Sequence, residues 1–312
     1  MYDLANFTIQ DMTQCGDALE HLGYKAKGLE ELADSVVRYF YDHLIDRQTG
    51  EKSSALVRFF MTYPYEGLDE ELRQLANKMP EGRPLTSATS CLVLLATVGL
   101  QPEWNSRKLS KGHRVIPLVD KQTAEKHPMI AQLVYQLGID IEKVLHPRPT
   151  LEIELESKIF NVFHVPDALG SLHIPSQDEF VIPFGIKSAL GFGSMLPTGN
   201  LFTVVIFSKT RAPRNTAEMF KYLALNTRIA VLPFVSKKIY VNEKTVLDET
   251  ERLRSIIATQ TSLLGIYKKT AINQSRRLEG FSLKFTLFLA KFTKKAWLYI
   301  SLITASSFFL YV

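Results

Sequence analysis

The chain has 312 residues and a formal net charge of +5, and 46% of its residues are hydrophobic and 22% charged. This composition excludes an intrinsically disordered chain, and the length allows one large domain or two modest ones. Basic residues are scattered along the sequence, so we expect no nucleic-acid partner.

Two helices are expected at the start of the chain. Apolar residues recur at helical spacing from Asn6 to Leu22, where Gly23 is expected to end the first helix, and again from Leu29 to Leu44. The opening residues lack the basic start and apolar segment of a signal peptide, which favours a cytoplasmic location.

The middle of the chain predicts strands and helices that alternate. The long apolar run that begins at Cys91 is typical of a strand covered on both faces. Cys15 and Cys91 show no CxxC or metal-ligand spacing, so both are expected to be reduced thiols. The expected elements are a strand over Ser54–Tyr63, a helix over Leu68–Met79, a strand over Cys91–Gly99, a helix over Pro128–Leu137 and a strand over Lys158–Val165.

The stretch from Glu179 to Phe234 has the clearest organisation. Residues 180–195 read FVIPFGIKSALGFGSM and residues 201–209 read LFTVVIFSK, with Pro-Thr-Gly-Asn in the connection between them. Two apolar runs joined by such a short connection predict a β-hairpin. A helix is expected to begin near Thr216 and to end at Pro233.

The order of elements is then an apolar strand IPFGIK, a second strand LGFGSML, a third strand LFTVVIFSK and a helix opened by PRNTAEMF. This order resembles the C-terminal half of GAF-like domains. The stretch from Tyr2 to about Leu278 is similar to the N-terminal sensory region of bacterial multidomain signalling proteins, which precedes a histidine kinase or another output module. The resemblance implies an α/β (α+β) fold with an antiparallel sheet of five or six strands, flanking helices and a long C-terminal helix. It also implies a non-catalytic sensory or regulatory module of signal transduction that binds a small ligand or partner.

Aromatic residues and glycines supply the candidate ligand site. Trp104, Phe163 and Phe184 are expected to line a cavity, although aromatic residues on apolar strands also form ordinary core. Gly191 and Gly193 allow a bulge or a close approach of ligand. A cavity of roughly 300 Å³ beneath the loop at 166–178 would favour a sensor, whereas a solid core would favour a dimerisation scaffold without ligand.

No catalytic or cofactor signature is present in the sequence. We find no phosphate-binding loop, no GxSxG or HExxH motif, and neither the phosphoacceptor nor the ATP-binding motifs of a histidine kinase. The sequence therefore predicts no enzyme, identifies no cofactor and indicates no titratable groups that converge in the pocket. The histidines show no metal-ligand spacing, and we expect no metal site at His113, His127, His146, His164 or His173.

The segment after residue 236 has a heptad seam at Leu253, Ile257, Leu264 and Leu278. The seam predicts a dimeric helix, and the resemblance implies that it is the parallel signalling helix of a homodimer, which passes a signal to a kinase or another output partner. A single amphipathic helix packed on its own domain is the alternative. The expected division is 1–45 for the N-terminal helices, 46–235 for the GAF-like sensor domain, 236–280 for the signalling helix and 281–312 for a hydrophobic tail.

The tail has two interpretations. Residues 296–312 carry no charge and follow Lys294 and Lys295, a pattern that fits an anchor in the inner membrane with its basic side in the cytoplasm. The resemblance stops near Leu278, where an output domain would begin, so a truncated or shifted reading frame is the alternative. In that case the chain would be the remnant of a sensor histidine kinase.

Overall fold

The computed structural model describes residues 1–78, 84–110, 113–122, 127–147, 162–174 and 176–235, together with Ile257 and Gly265. The chain divides into two compact units, Met1–Gln260 and Thr261–Val312, and every element below belongs to the first. The helices are α1 Ile9–Lys25, α2 Leu29–His43, α3 Glu70–Asn77, α4 Pro128–Gln136, α5 Ile141–Leu145 and α6 Arg214–Val235. The strands are β1 Tyr2–Asp3, β2 Leu44–Ile45, β3 Ser54–Pro64, β4 Ser90–Gly99, β5 Val115–Leu118, β6 Val162–Val165, β7 Ser188–Met195 and β8 Leu201–Ser208.

The main sheet has six strands in the order β5-β4-β3-β8-β7-β6, and every neighbouring pair is antiparallel. Strands β1 and β2 form a separate short parallel pair. The expected mixed fold, an antiparallel sheet of five or six strands with flanking helices, is confirmed. Strands β3 and β8 are the first and the last strand of this sheet along the chain, and they pair with each other at the centre of the sheet.

The predicted hairpin is confirmed and consists of β7 and β8. Met195 pairs with Leu201, and the connection closes through hydrogen bonds from Leu196 N to Asn200 O and from Gly199 N to Leu196 O, both 2.8 Å. Gly199 has a φ of 84°, a left-handed conformation that glycine adopts without steric cost. The local turn residues therefore determine the register of two central strands.

One face of the sheet is covered by α2, which packs on β3 and β4, and by α6, which packs on β6 and β7, while α1 packs on α6 and α2. The rings of Phe40 on α2, Phe192 on β7 and Phe220 on α6 lie 5.5–6.0 Å apart, centroid to centroid, and connect the two helices to the sheet. Helix α1 begins with a capping box, in which Asp11 N donates to Thr8 Oγ1 at 3.1 Å and Thr8 N donates to Asp11 Oδ2 at 2.9 Å. The amphipathic periodicity of both N-terminal helices is thus satisfied by the sheet and by α6.

The prediction that Gly23 ends the first helix is wrong. Gly23 lies inside α1, which continues to Lys25, and a Cβ atom at Gly23 would come within 2.7 Å of the Ala230 Cα. Glycine is required there because the backbones of α1 and α6 approach each other closely, and its role is therefore in packing.

The expected strand at IPFGIK is also wrong. Residues Gln177–Val181 form a single turn of π-helix, and a further turn leads to Gly185, whose φ is 61°. Pro183 has no N–H group to offer a sheet ladder, and the left-handed Gly185 reverses the chain. Strand pairing therefore begins only at Ser188.

The last described helix, α6, is longer at both ends than expected. It begins at Arg214, two residues before Thr216, and continues past Pro233 to Val235. Pro233 lacks the N–H group for one backbone hydrogen bond, and the described residues remain helical to Val235.

The seam residues Leu253, Leu264 and Leu278 lie outside the described residues, as does the tail at 296–312. Ile257 is helical and its side chain is 62% exposed. Within the parts of the chain that the structure describes, no helix is both long and apolar enough to cross a membrane.

Candidate functional site

A cavity of about 410 Å³ lies against the sheet face opposite α1, α2 and α6. Its floor is formed by the side chains of β3 and β8 that point to this face of the sheet. The residues between them point to the opposite face. The floor residues include Leu56, Arg58 and Phe60 of β3, Leu92 of β4, Ile116 and Leu118 of β5, and Leu201, Thr203, Val205 and Phe207 of β8.

The cavity is closed on the other side by α4, by one residue of α5 and by the segment that leads into the π-helical turn. Leu133 and Val134 of α4 are buried, whereas Tyr135 on the opposite side of the same helix is 79% exposed. Ile174 and Ser176, from the loop at 166–178 beneath which a cavity was expected, line the cavity as well. This wall consists of short elements, while the floor belongs to long paired strands.

Trp104 occupies one side of the cavity and is held by aromatic neighbours. Its ring centroid lies 4.6 Å from that of Phe184 and 5.6 Å from that of Phe180, and Phe180 in turn packs edge-on against Phe207 at 4.9 Å. Such tilted and edge-to-face pairs are favourable arrangements of aromatic rings. They connect the turn at 177–185 to the sheet through the cavity wall.

Arg58 brings a positive charge into this apolar space. It lies in the middle of β3 and is half-buried, and its Nη2 donates a 3.1 Å hydrogen bond to Ser110 Oγ. Its Nε is buried and has no hydrogen-bond partner among the described residues. Burial lowers the pKa of Arg58 to about 10, which still leaves the guanidinium protonated at neutral pH.

Two histidines lie near Arg58 and also line the cavity. The pKa of His113 is lowered, first by burial and then by the charges of Arg58 and His127. His113 has a φ of 56°, a left-handed conformation that is uncommon outside glycine. His127 is the residue before α4 and makes no side-chain cap to that helix. Arg58, the exposed His113 and the half-buried His127 thus form a basic cluster in the cavity wall.

Glu179 is the carboxylate among the cavity-lining residues, and it is exposed. Within the described part of the chain, no ion pair joins Glu179 to Arg58. The basic cluster in the cavity wall is therefore not neutralised by this side chain.

The five predicted ligand-site residues are separated by the structure. Trp104 lines the cavity. Phe184 contacts the Trp104 ring and is not itself a lining residue. Phe163 is fully buried in the core next to Gly191, where a Cβ atom would lie 3.1 Å from Phe163 Cβ. A Cβ atom at Gly193 would overlap the carbonyl oxygen of Phe202. The pairing of β7 with β8 is regular, so the two glycines make room for protein atoms at positions without a bulge.

Sequence reasoning missed Arg58, His113 and His127, since the sequence alone does not indicate that titratable groups converge in the pocket. A signal was available, because Arg58 is the one charged residue in the strand SALVRFFMTYP. A charge in the middle of a central strand is unusual and points either to a paired interior group or to a site.

Other polar candidates have structural explanations. His164 is buried, and its Nε2 lies 2.8 Å from the carbonyl oxygen of Ala212. Cys15 and Cys91 are free buried thiols, as expected, and burial raises the pKa of Cys91 to about 12. Within the described residues there is no group of three or more His, Cys, Asp or Glu side chains that could hold a metal ion.

Neither a scan against models of known protein families nor a search of curated proteins finds a match to this chain.

Proposed function

We propose that this chain is a non-enzymatic sensory or regulatory module that binds a small ligand in the cavity above β3 and β8. The observation that supports this most strongly is the cavity itself: a space of about 410 Å³ with mainly apolar walls and a basic cluster. Ligand sites in proteins are commonly clefts of roughly 300–1,000 Å³ with apolar walls and a few polar groups that orient the ligand.

The cavity favours a sensor over a scaffold on energetic grounds. The cavity is partly open to solvent, and the apolar side chains of its walls are left without packing partners on that side. A dimerisation scaffold gains nothing from such a void, whereas a binding module needs it.

A route from the cavity towards the rest of the chain is available through β8. Thr203, Val205 and Phe207 form part of the cavity floor, and β8 leads within six residues into α6. In the proposed function, a ligand pressing on these side chains shifts α6, and the signalling helix expected over 236–280 carries the change to a partner or to the second copy of a homodimer. The GAF-like resemblance is consistent with this order of elements and remains part of the proposal.

An enzyme is the second candidate, and the convergence of Arg58, His113 and His127 favours it. Histidine is the commonest general acid–base residue, and His113 lies in a strained backbone conformation of the kind found at functional sites. The two candidates differ in the fate of the bound molecule, which a sensor releases unchanged and an enzyme converts.

Native mass spectrometry of the purified 312-residue chain tests the proposal. We expect a mass adduct of a small molecule, which is lost on denaturation and recovered chemically unchanged after prolonged incubation. A chain whose native mass equals its denatured mass would contradict the ligand-binding proposal, and a bound molecule that changes its mass with time would favour the enzyme.

A further inference from the structure

We propose that the ligand of this cavity is a small organic anion, with a carboxylate or phosphate head against Arg58 and an apolar body along the sheet. This inference rests on the proposed ligand-binding function and adds the chemical class of the ligand. It is carried by the arrangement of charge and apolar surface in the cavity walls.

Arg58 lacks a counter-ion in the part of the chain that the structure describes. A half-buried guanidinium without an anionic partner loses part of its water without gaining an opposite charge. The hydroxyl of Ser110 accepts one hydrogen bond from Nη2. A carboxylate or phosphate oxygen at the part of the guanidinium that faces the cavity would balance the charge, and arginine binds both groups.

The surroundings of Arg58 also favour a negative charge. His113 and His127 can both donate hydrogen bonds, and both line the cavity. Helix α4 begins at the cavity with Pro128, Met129 and Ile130, and no side chain caps its first turn. The positive end of a helix dipole adds to the attraction for an anion. Glu179 is exposed and forms no ion pair with Arg58, so it leaves this attraction in place.

The remainder of the cavity requires an apolar body. The other lining residues are mainly aliphatic and aromatic, and they include Leu92, Ile116, Leu118, Leu133, Val134, Val144, Leu201 and Phe207. An inorganic anion alone would leave these surfaces unfilled. A molecule with an acidic head and an apolar body matches both parts of the cavity at once.

Four probes and three variants test this inference on the delipidated 312-residue chain. Isothermal titration calorimetry with decanoate, decyl phosphate, 1-decanol and decylamine compares heads of different charge on the same apolar body. We expect the better of the two anions to bind roughly 10- to 100-fold more tightly than the alcohol, because a charge-assisted hydrogen bond to a half-buried guanidinium is gained. The better anion also identifies the head group, carboxylate or phosphate.

The variants assign the preference to Arg58. Arg58→Met keeps the apolar stem and should reduce anion binding to the level of the alcohol, whereas Arg58→Lys should retain part of the preference. Arg228→Met is the matched control, because Arg228 is only 4% exposed, has a pKa also lowered to about 10 by burial, and does not line the cavity. We expect this control to bind the anions as the parent does.

The result for the parent chain decides the inference even where a variant fails to fold. Equal or tighter binding of 1-decanol or decylamine would overturn the anion preference and leave the ligand cavity in place. Absence of binding by all four probes would overturn the inference as well, and the native mass measurement would then decide separately whether the cavity binds another ligand.

Discussion

Gly193 on β7 lies so close to Phe202 on β8 that no side chain fits between them, and a Cβ atom there would overlap the Phe202 carbonyl oxygen. The paired backbones cannot separate without breaking the ladder between β7 and β8. Gly193→Ala is therefore expected to lower the free energy of unfolding by about 1–3 kcal/mol or more, and Gly193→Val by more again.

Gly191→Ala is the matched control on the same strand. A Cβ atom there would lie 3.1 Å from Cβ and Cδ1 of Phe163, a tight contact that a shift of a few tenths of an ångström relieves. Denaturant unfolding of the two alanine variants should show the smaller loss for Gly191. Equal losses, or a Gly193 variant as stable as the parent, would contradict the close approach of β7 and β8.

The close packing of α1 on α6 predicts that replacing glycines of α1 by alanine destabilises the protein, which is the opposite of what helix propensity predicts. Replacing an exposed helical glycine by alanine usually stabilises a protein by about 1 kcal/mol. At Gly16 the new Cβ would come within 2.7 Å of Asn226 Oδ1, and at Gly23 within 2.7 Å of Ala230 Cα. Both alanine variants are therefore expected to lose about 1–3 kcal/mol.

A double-mutant cycle separates the two sites. Asn226→Ala removes the side chain that Gly16→Ala would meet, so the cost of Gly16→Ala should fall in that background. The cost of Gly23→Ala, which arises from backbone atoms of α6, should be unchanged. Stabilisation by either glycine substitution alone would contradict the packing of the two helices.

The sequence predicts this fold well where the signal is local. The hairpin of β7 and β8 follows from four turn residues between two apolar runs, and the two N-terminal helices follow from their periodicity. Gly23 shows the limit, because a glycine at a helix end and a glycine at a helix crossing look alike until the position of Ala230 is known. The same is true of IPFGIK, where β-branched composition competes with the turn chemistry of Pro183 and Gly185.

The site was less predictable than the fold for a related reason. Trp104 could be proposed from its aromatic character alone, but the convergence of Arg58, His113 and His127 depends on three segments that are distant in sequence. Only the tertiary arrangement shows that the charge on β3 lies in the wall of a cavity. A charged residue in an apolar central strand is nevertheless a signal that sequence reasoning can use.

The lowered pKa of His113 predicts how stability depends on pH. Between the folded pKa and the ordinary value of 6.5, the unfolded chain binds more protons at this site than the folded chain. The free energy of unfolding should therefore decrease as the pH falls below about 6.5 and through the folded pKa. Arg58 and His127 are the charged groups that, with burial, oppose protonation of His113.

His113→Asn tests this dependence, because asparagine tolerates the left-handed backbone at this position. Melting temperatures at pH about 7.5 and about 5.5 should differ less in this variant than in the parent. His146→Asn, at an exposed histidine with 70% of its side chain accessible, is the control and should behave like the parent. An unchanged pH dependence in His113→Asn would show that other groups are responsible.

The predicted signalling helix can be tested without further knowledge of its structure. Leu253→Ala combined with Leu264→Ala removes apolar contacts from both chains of a two-fold dimer. At about 1.5–3 kcal/mol for each buried aliphatic side chain, dissociation should increase by several orders of magnitude. Sedimentation equilibrium of the parent and the double variant measures this, and a parent that is monomeric at high micromolar concentration would exclude the dimeric helix.

The proposed function places the ligand in the cavity above β3 and β8. Val205 points into the cavity, whereas Val57 on the neighbouring strand is fully buried in the core of the opposite face. Val205→Phe should fill the cavity with little loss of melting temperature, while Val57→Phe should overpack a solid core and lower it.

The decisive measurement is the fraction of chain that carries the co-purified small molecule in native mass spectrometry of these two variants. The proposed function predicts that Val205→Phe is folded and free of the molecule, and that Val57→Phe is less stable and still carries it. Retention of the molecule by Val205→Phe at the level of the parent would place the ligand elsewhere and contradict the account.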